Sequence, residues 1–257
     1  MLGFGINTLS VVPCRAEPSS KSEMITQLLF GETYRILECQ KDWFKIKIST
    51  DNYEGWINHL QHHEITEQTF NQLVSSEHSY NADIFQVLQF GNNPVISPFG
   101  AHYYNFNNNK FILENISYET FGRVINRAKK LNHTAIVDYA LMFLNAPYLW
   151  GGKTIMGIDC SGFTQNVYKL AGYLLPRDAK DQAVIGTPIT FLDEVQAGDL
   201  AFFHNEEGII THTGIMINNE KIIHASGKVK IDRIDHYGIY SSELKKHTHF
   251  LRVIKRL

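Results

Sequence analysis

The 257-residue chain predicts an α+β fold, strand-rich in its first half and mixed in its second. Short alternating runs separated by Gly, Asp and Asn turn signals fill the first half. One stretch beyond the middle has helical spacing with a capping residue at each end. Two extended runs further on are joined by three polar residues, the pattern of an antiparallel hairpin.

Residues 1–66 contain Val11-Val12-Pro13-Cys14-Arg15-Ala16-Glu17-Pro18, Thr26-Gln27-Leu28-Leu29-Phe30-Gly31-Glu32, Asp42-Trp43-Phe44-Lys45-Ile46 and Tyr53-Glu54-Gly55-Trp56-Ile57. These read as the strands of a small β-barrel. A second run, 75–126, holds Phe85-Gln86-Val87-Leu88-Gln89-Phe90-Gly91, Asn93-Pro94-Val95-Ile96-Ser97-Pro98 and Phe111-Ile112-Leu113-Glu114, which predicts a second barrel. A basic segment, 123–130, then leads into a third region, 132–257.

In that region the apolar residues Phe163, Val167, Leu170 and Ala171 follow Cys160 at helical spacing, and Gly172 is placed to end the helix. Asp159 is the natural N-cap. Cys160 then falls in the first turn, where unpaired backbone N–H groups and the positive end of the macrodipole favour an anion. The thiolate is the nucleophilic form of cysteine, so this position predicts an activated nucleophile. A lone cysteine is more often a small buried hydrophobe, but here the flanking residues are Asp159, Ser161 and Gly162 rather than apolar ones.

His212 in Thr-His-Thr-Gly-Ile-Met-Ile and His224 in Lys-Ile-Ile-His-Ala-Ser-Gly lie in the two hairpin runs. A loop of three residues, Asn218-Asn219-Glu220, with Ile217 facing Lys221, is odd in length and puts both histidines on one face. Either histidine alone would be unremarkable; two on one face beside Gly214 and Met216 are candidates for activating a cysteine.

Composition narrows the class. The net charge of −2 and the lack of a long basic run exclude nucleic acid as a partner. Cys14, Cys39 and Cys160 are an odd, sparse set without metal-ligand spacing, so neither a disulfide framework nor a metal site is expected. The first ten residues contain no lysine or arginine and no long apolar core, unlike a secretory signal, and Cys14 lacks the small residues that precede a lipoprotein cysteine. No run approaches the roughly 18 to 20 apolar residues of a membrane span, so no membrane partner is expected. The expectation is a cytoplasmic protein; a chain whose signal had been removed, secreted or periplasmic, would read the same.

Six pieces in order, Pro147-Tyr148-Leu149-Trp150-Gly151-Gly152, Gly157-Ile158-Asp159-Cys160-Ser161-Gly162-Phe163, Pro176-Arg177-Asp178, Ala197-Gly198-Asp199-Leu200-Ala201-Phe202-Phe203, Thr211-His212-Thr213-Gly214-Ile215 and Ile223-His224-Ala225-Ser226-Gly227, resemble the NlpC/P60 family of cysteine peptidases over 132–257. The first half is similar to bacterial SH3-like barrels. The resemblance implies a papain-like catalytic domain behind two such barrels, with Cys160 as nucleophile, His212 as general base, His224 orienting it, and no metal or cofactor. Two barrels ahead of the peptidase resemble the γ-D-glutamyl-L-diamino acid endopeptidases. That implies a substrate of L-Ala-γ-D-Glu-diamino acid, a peptidoglycan-derived peptide with a free N-terminal L-Ala.

Mapped onto this chain, the resemblance implies substrate contacts from Tyr148, Asp159, Ser161, Asp178 and Tyr53, and more weakly Glu23, with the first barrel closing the cleft around the L-Ala ammonium. A buried ammonium has to be offset by carboxylates and a hydroxyl. The chain departs from the family's usual Arg-Asp-Ser at Arg177-Asp178-Ala179, which removes one hydroxyl worth about 1 kcal/mol. Two other readings remain at this stage: a hydrolase of intact wall with barrels as anchors, and a wall-peptide binding protein with a decayed catalytic domain.

Overall fold

A computed structural model describes residues 2–91, 93–128 and 131–257; Lys129 and Lys130, at the end of the basic segment, lie outside the described residues. Two compact units result. One comprises 1–129 with 150–154, the other 130–149 with 155–257.

In the first unit, alternation of apolar and polar residues drives the strands. Val11–Arg15 turns Val12 and Cys14 inward and leaves Val11, Pro13 and Arg15 partly exposed, the two-residue period of a strand with one buried face. It joins Gly3–Ile6, Met24–Leu29, Thr33–Gln40, Trp43–Ile48, Glu54–Asn58 and His63–Ile65 in one seven-stranded sheet. Val12, Cys14, Leu28, Tyr34, Ile46, Ile48 and Ile57 form its core, with Tyr53 and Phe44 packed at the margin.

The strands of 75–126 fall in two further sheets. Asn93–Pro98, Phe85–Phe90, Ile116–Glu119 and Lys110–Leu113 make a four-stranded one, and His102–Tyr104, His78–Asn81 and Val124–Asn126 a three-stranded one. They do not have a core to themselves. Leu88, Tyr103, Phe111 and Tyr118 pack in one cluster with Ile6, Phe30 and Ile65 from the first run and with Phe70 and Leu73 from the helix Glu67–Ser75 between the runs. The two runs are therefore one structural unit.

In the second unit, helices His133–Leu141, Cys160–Leu170 and Ala179–Gln182 accompany a sheet ordered Thr187–Ile189, Lys246–Arg256, Leu200–His204, Ile210–Asn218, Lys221–Ser226, Lys228–Ile234, Gly238–Ser241. Lys246–Arg256 also pairs with Gly238–Ser241, so six of these strands close into a barrel and Thr187–Ile189 lies outside it. Asp199, fully buried at the start of Leu200–His204, is held by Arg256 through Nε at 2.8 Å and Nη2 at 2.7 Å. That bidentate pair anchors the last strand beside the central one. Among the described residues no helix is long and apolar enough to cross a membrane.

Candidate active site

The helix begins at Cys160 with Asp159 as its N-cap, the side chain accepting a 2.7 Å hydrogen bond from the Gly162 N–H. Its end is as the sequence predicts: Ala171 caps Leu170, and Gly172 takes a positive φ of 87°. Below the nucleophile lies a buried ion pair. Arg177 donates from Nη2 to Asp159 Oδ2 at 2.5 Å, from Nη1 to Asp159 Oδ1 at 3.1 Å and from Nη1 to Ser161 Oγ at 2.9 Å. Gln182 fastens the same turn, donating to Ser161 O at 3.0 Å and Pro176 O at 2.8 Å. Both neighbours of Cys160 are thus held by Arg177, a residue to which the sequence reading assigned no role.

The helix packs against strand Ile210–Asn218, which carries His212. His212 and His224 share a face and are hydrogen-bonded, Nε2 to Nδ1 at 2.9 Å. The expected three-residue loop is not the reason. Asn218 pairs directly with Lys221, leaving a two-residue turn, and a bulge between Met216 and Asn218 supplies the extra residue that restores the face. Gly214 pairs with His224, and a Cβ placed there would come within 2.8 Å of the His224 Cβ. Any larger residue at that crossing would have to displace the His224 strand.

Two further residues complete the cluster. His224 Nε2 lies 3.1 Å from Asp232 Oδ2, which also takes a 3.1 Å contact from Lys230 Nζ. His249 stacks on His212 with ring centroids 4.1 Å apart. Strand alternation in Lys228–Ile234 puts Asp232 on the face of Lys230, the partner of His224; this was the signal available in the sequence. His249 had none, because bulges interrupt the pairing of its strand on both sides.

The electrostatics depart from the sequence expectation at Cys160. Burial is the largest influence and, with the Asp159 charge, pushes the thiol up to about 11; backbone hydrogen bonds from Thr213 and Ser161 and the Arg177 charge only partly oppose it. The helix terminus does not leave a resting thiolate, because desolvation outweighs it. Burial holds His212 well below 6.5, reinforced by His224, His249 and Lys230. His224 is also lowered by burial, against the opposing pull of Asp232. Thiol and imidazoles are uncharged together at neutral pH.

The chain matches the NlpC/P60 family model over residues 145–249 and the bacterial SH3 domain model over residues 10–61. It is 30% identical to the gamma-D-glutamyl-L-lysine dipeptidyl-peptidase of Bacillus subtilis (strain 168) over 225 residues, 78% of this chain and 71% of that one. The chain belongs to the NlpC/P60 family. Dipeptidyl-peptidase 6 of Lysinibacillus sphaericus is 27% identical over 258 residues, 89% of this chain and 91% of its own. The crystal structure of an NlpC/P60 family protein from Bacillus cereus ATCC 10987 has the same fold, with a TM-score of 0.84 at 18% identity over 99% of both chains.

Of the remaining residues singled out in this NlpC/P60 chain, Tyr53 and Glu23 belong to the first unit and Tyr148 and Asp178 to the second. Tyr148 is partly buried near the nucleophile, and burial plus the Cys160 and Asp159 charges push its hydroxyl up to about 12. Asp178 is partly buried at the start of Ala179–Gln182. Tyr53, beside the left-handed Asn52, packs against the core of the first unit's seven-stranded sheet. Glu23 is exposed and accepts a hydrogen bond from Trp150 Nε1 at 2.5 Å, so that carboxylate already has a partner. Asp159 and Ser161 flank Cys160 directly. Both are buried, and their side-chain oxygens are engaged by Arg177, which makes them supports of the turn that carries Cys160.

Proposed function

We propose that this chain is a cysteine peptidase that hydrolyses the γ-D-glutamyl–diamino acid bond of peptidoglycan-derived peptides bearing a free N-terminal L-Ala, releasing L-Ala-D-Glu. The observation that carries this reading is the buried 2.9 Å hydrogen bond between His212, on the strand against which the Cys160 helix packs, and His224 on the next strand. A closed barrel facing that helix supports a papain-like arrangement. The names of the Bacillus subtilis and Lysinibacillus sphaericus relatives supply the substrate class.

In the proposed reaction His212 takes the Cys160 proton as sulfur adds to the γ-D-Glu carbonyl carbon, because a thiol pushed up to about 11 is not ionised beforehand. The carbonyl electron pair moves to oxygen, which backbone N–H groups near Cys160 and the Tyr148 hydroxyl stabilise. Tyr148 keeps its proton, being pushed up to about 12, and so can donate. The C–N bond then breaks, and His212 returns the proton to the leaving diamino-acid amine. Water, deprotonated by the same imidazole, cleaves the thioester. His224 orients His212, as the third member of such triads does.

Within the second unit, selectivity for a free amine is assigned in this proposal to the carboxylate of Asp178, partly buried at the start of Ala179–Gln182. N-acetylation removes the ammonium and leaves any carboxylate that pairs with it alone, at a cost of about 2 to 5 kcal/mol, or roughly 30-fold to several thousand-fold in kcat/KM. Rates on free L-Ala-γ-D-Glu-L-Lys, its N-acetyl form and intact sacculi test this. Rapid turnover of the free peptide alone is expected. Equal rates on free and acetylated peptides, or clearing of sacculi, would favour a wall-lytic enzyme; turnover of none would favour a binding protein.

A further inference from the structure

We propose that Asp232 is a positioning residue that sets the direction of the two hydrogen bonds running from it through His224 to His212, so that the bare nitrogen of His212 is Nδ1, the atom left to take the Cys160 proton. The inference rests on the assignment of His212 as general base. An ionised carboxylate has no proton to give, so Asp232 Oδ2 can only accept across its 3.1 Å contact with His224. His224 must therefore carry its proton on Nε2. A neutral imidazole has one N–H, which leaves His224 Nδ1 bare. His212 Nε2, 2.9 Å from that atom, must be the donor, and His212 Nδ1 is bare in its turn. One carboxylate thus fixes the proton order two residues away.

The surroundings favour this order. Partial burial raises Asp232, but the hydrogen bonds and charges of His224 and Lys230 together outweigh it and hold the carboxyl below its ordinary value. His224 is fully buried, with Nδ1 on His212 and Nε2 on Asp232. The other groups acting on the pair are His249, stacked on His212, and Lys230 beside Asp232, while the Cys160 helix, with Asp159 and Arg177 at its start, packs against the strand of His212. Of the groups that act on His224, Asp232 is the acid and Lys230 the cation.

Asp232→Asn keeps the shape but offers an amide that accepts or donates, so both proton orders become accessible. It also removes the negative charge that raises His224. The expected result is kcat lower by roughly 10- to 1,000-fold with KM near wild type; replacing the acid of a Ser-His-Asp triad by its amide costs up to about 10⁴. The acid limb of the kcat profile should move to lower pH, since losing a negative neighbour makes the imidazoles harder to protonate. Asp232→Glu should recover part of the loss. Nitrogen-15 spectra of histidine-labelled wild-type protein should show Nε2–H tautomers for both His212 and His224, and Asp232→Asn should add the Nδ1–H form.

An Nδ1–H tautomer at His224 in the wild type overturns the inference, as does an Asp232→Asn enzyme with unchanged kcat and pH profile. If Asp232→Asn fails to fold, the wild-type spectra and Asp232→Glu decide it. Correct tautomers together with full activity in Cys160→Ala would leave this hydrogen-bond order standing and remove the proposed cysteine mechanism instead.

Discussion

Replacing Arg177 by Met should damage the protein in two separable ways. Arg177 and Asp159 are both almost fully buried, 2% and 5% exposed, and the guanidinium makes two bonds to the carboxylate and one to Ser161 Oγ. Removing one member of a buried pair leaves the other charge uncompensated, at a cost of about 3 to 5 kcal/mol. For a chain of this length that corresponds to a loss of roughly 10 °C in Tm. The second effect is on the nucleophile. Arg177 lowers the Cys160 thiol and Asp159 raises it, so deleting the cation pushes the thiol higher still. The rate of Cys160 alkylation by iodoacetamide at pH 8, measured in a Cys39→Ser background because Cys39 is exposed, should therefore fall. Arg177→Met with Asp159→Asn removes both charges and should recover part of the stability, the coupling reporting the pair. A Tm within 2 °C of wild type and unchanged alkylation would refute the view that this pair supports the nucleophile.

Gly214→Ala should fold with reduced stability and lose most turnover, because the new Cβ approaches the His224 Cβ at 2.8 Å and Ile223 O at 3.0 Å; kcat on the free tripeptide and a thermal melt check it, and full activity would contradict the fit. Stability should be greatest between about pH 6.5 and 9. His212, His224 and His249 are lowered in the fold, His249 to about 4, so below 6.5 the unfolded chain binds more protons and stability falls with pH. Cys14 and Cys160 are raised to about 12 and 11, so above about 9 the unfolded chain releases protons that the folded chain retains, and stability falls again. Thermal melts across pH 4 to 10 read both limbs.

What could be read from sequence was local. Asp159, Cys160 and Gly172 mark the start and the end of one helix, and their relation depends on chain spacing alone. The shared face of His212 and His224 depended on loop parity, which a bulge near Ile217 restored by a different route. Arg177, Asp232 and His249 reach the site through tertiary packing, 18, 8 and 37 positions from the residues they touch. The titration of Cys160 could not be read from the helix terminus because burial, the larger influence, is a property of the folded unit. The strands of 75–126 were visible as strands, but the packing of Tyr103, Phe111 and Tyr118 against Phe30 was not.

The central claim is that Cys160 attacks a γ-D-glutamyl bond. Incubating L-Ala-γ-D-Glu-L-Lys with wild type and with Cys160→Ala, and following products by mass spectrometry, tests it most directly. The account predicts L-Ala-D-Glu and lysine from the wild type and none from Cys160→Ala, whose circular dichroism and Tm stay near wild type. Comparable product from Cys160→Ala, or cleavage at the L-Ala–D-Glu bond instead, would contradict it.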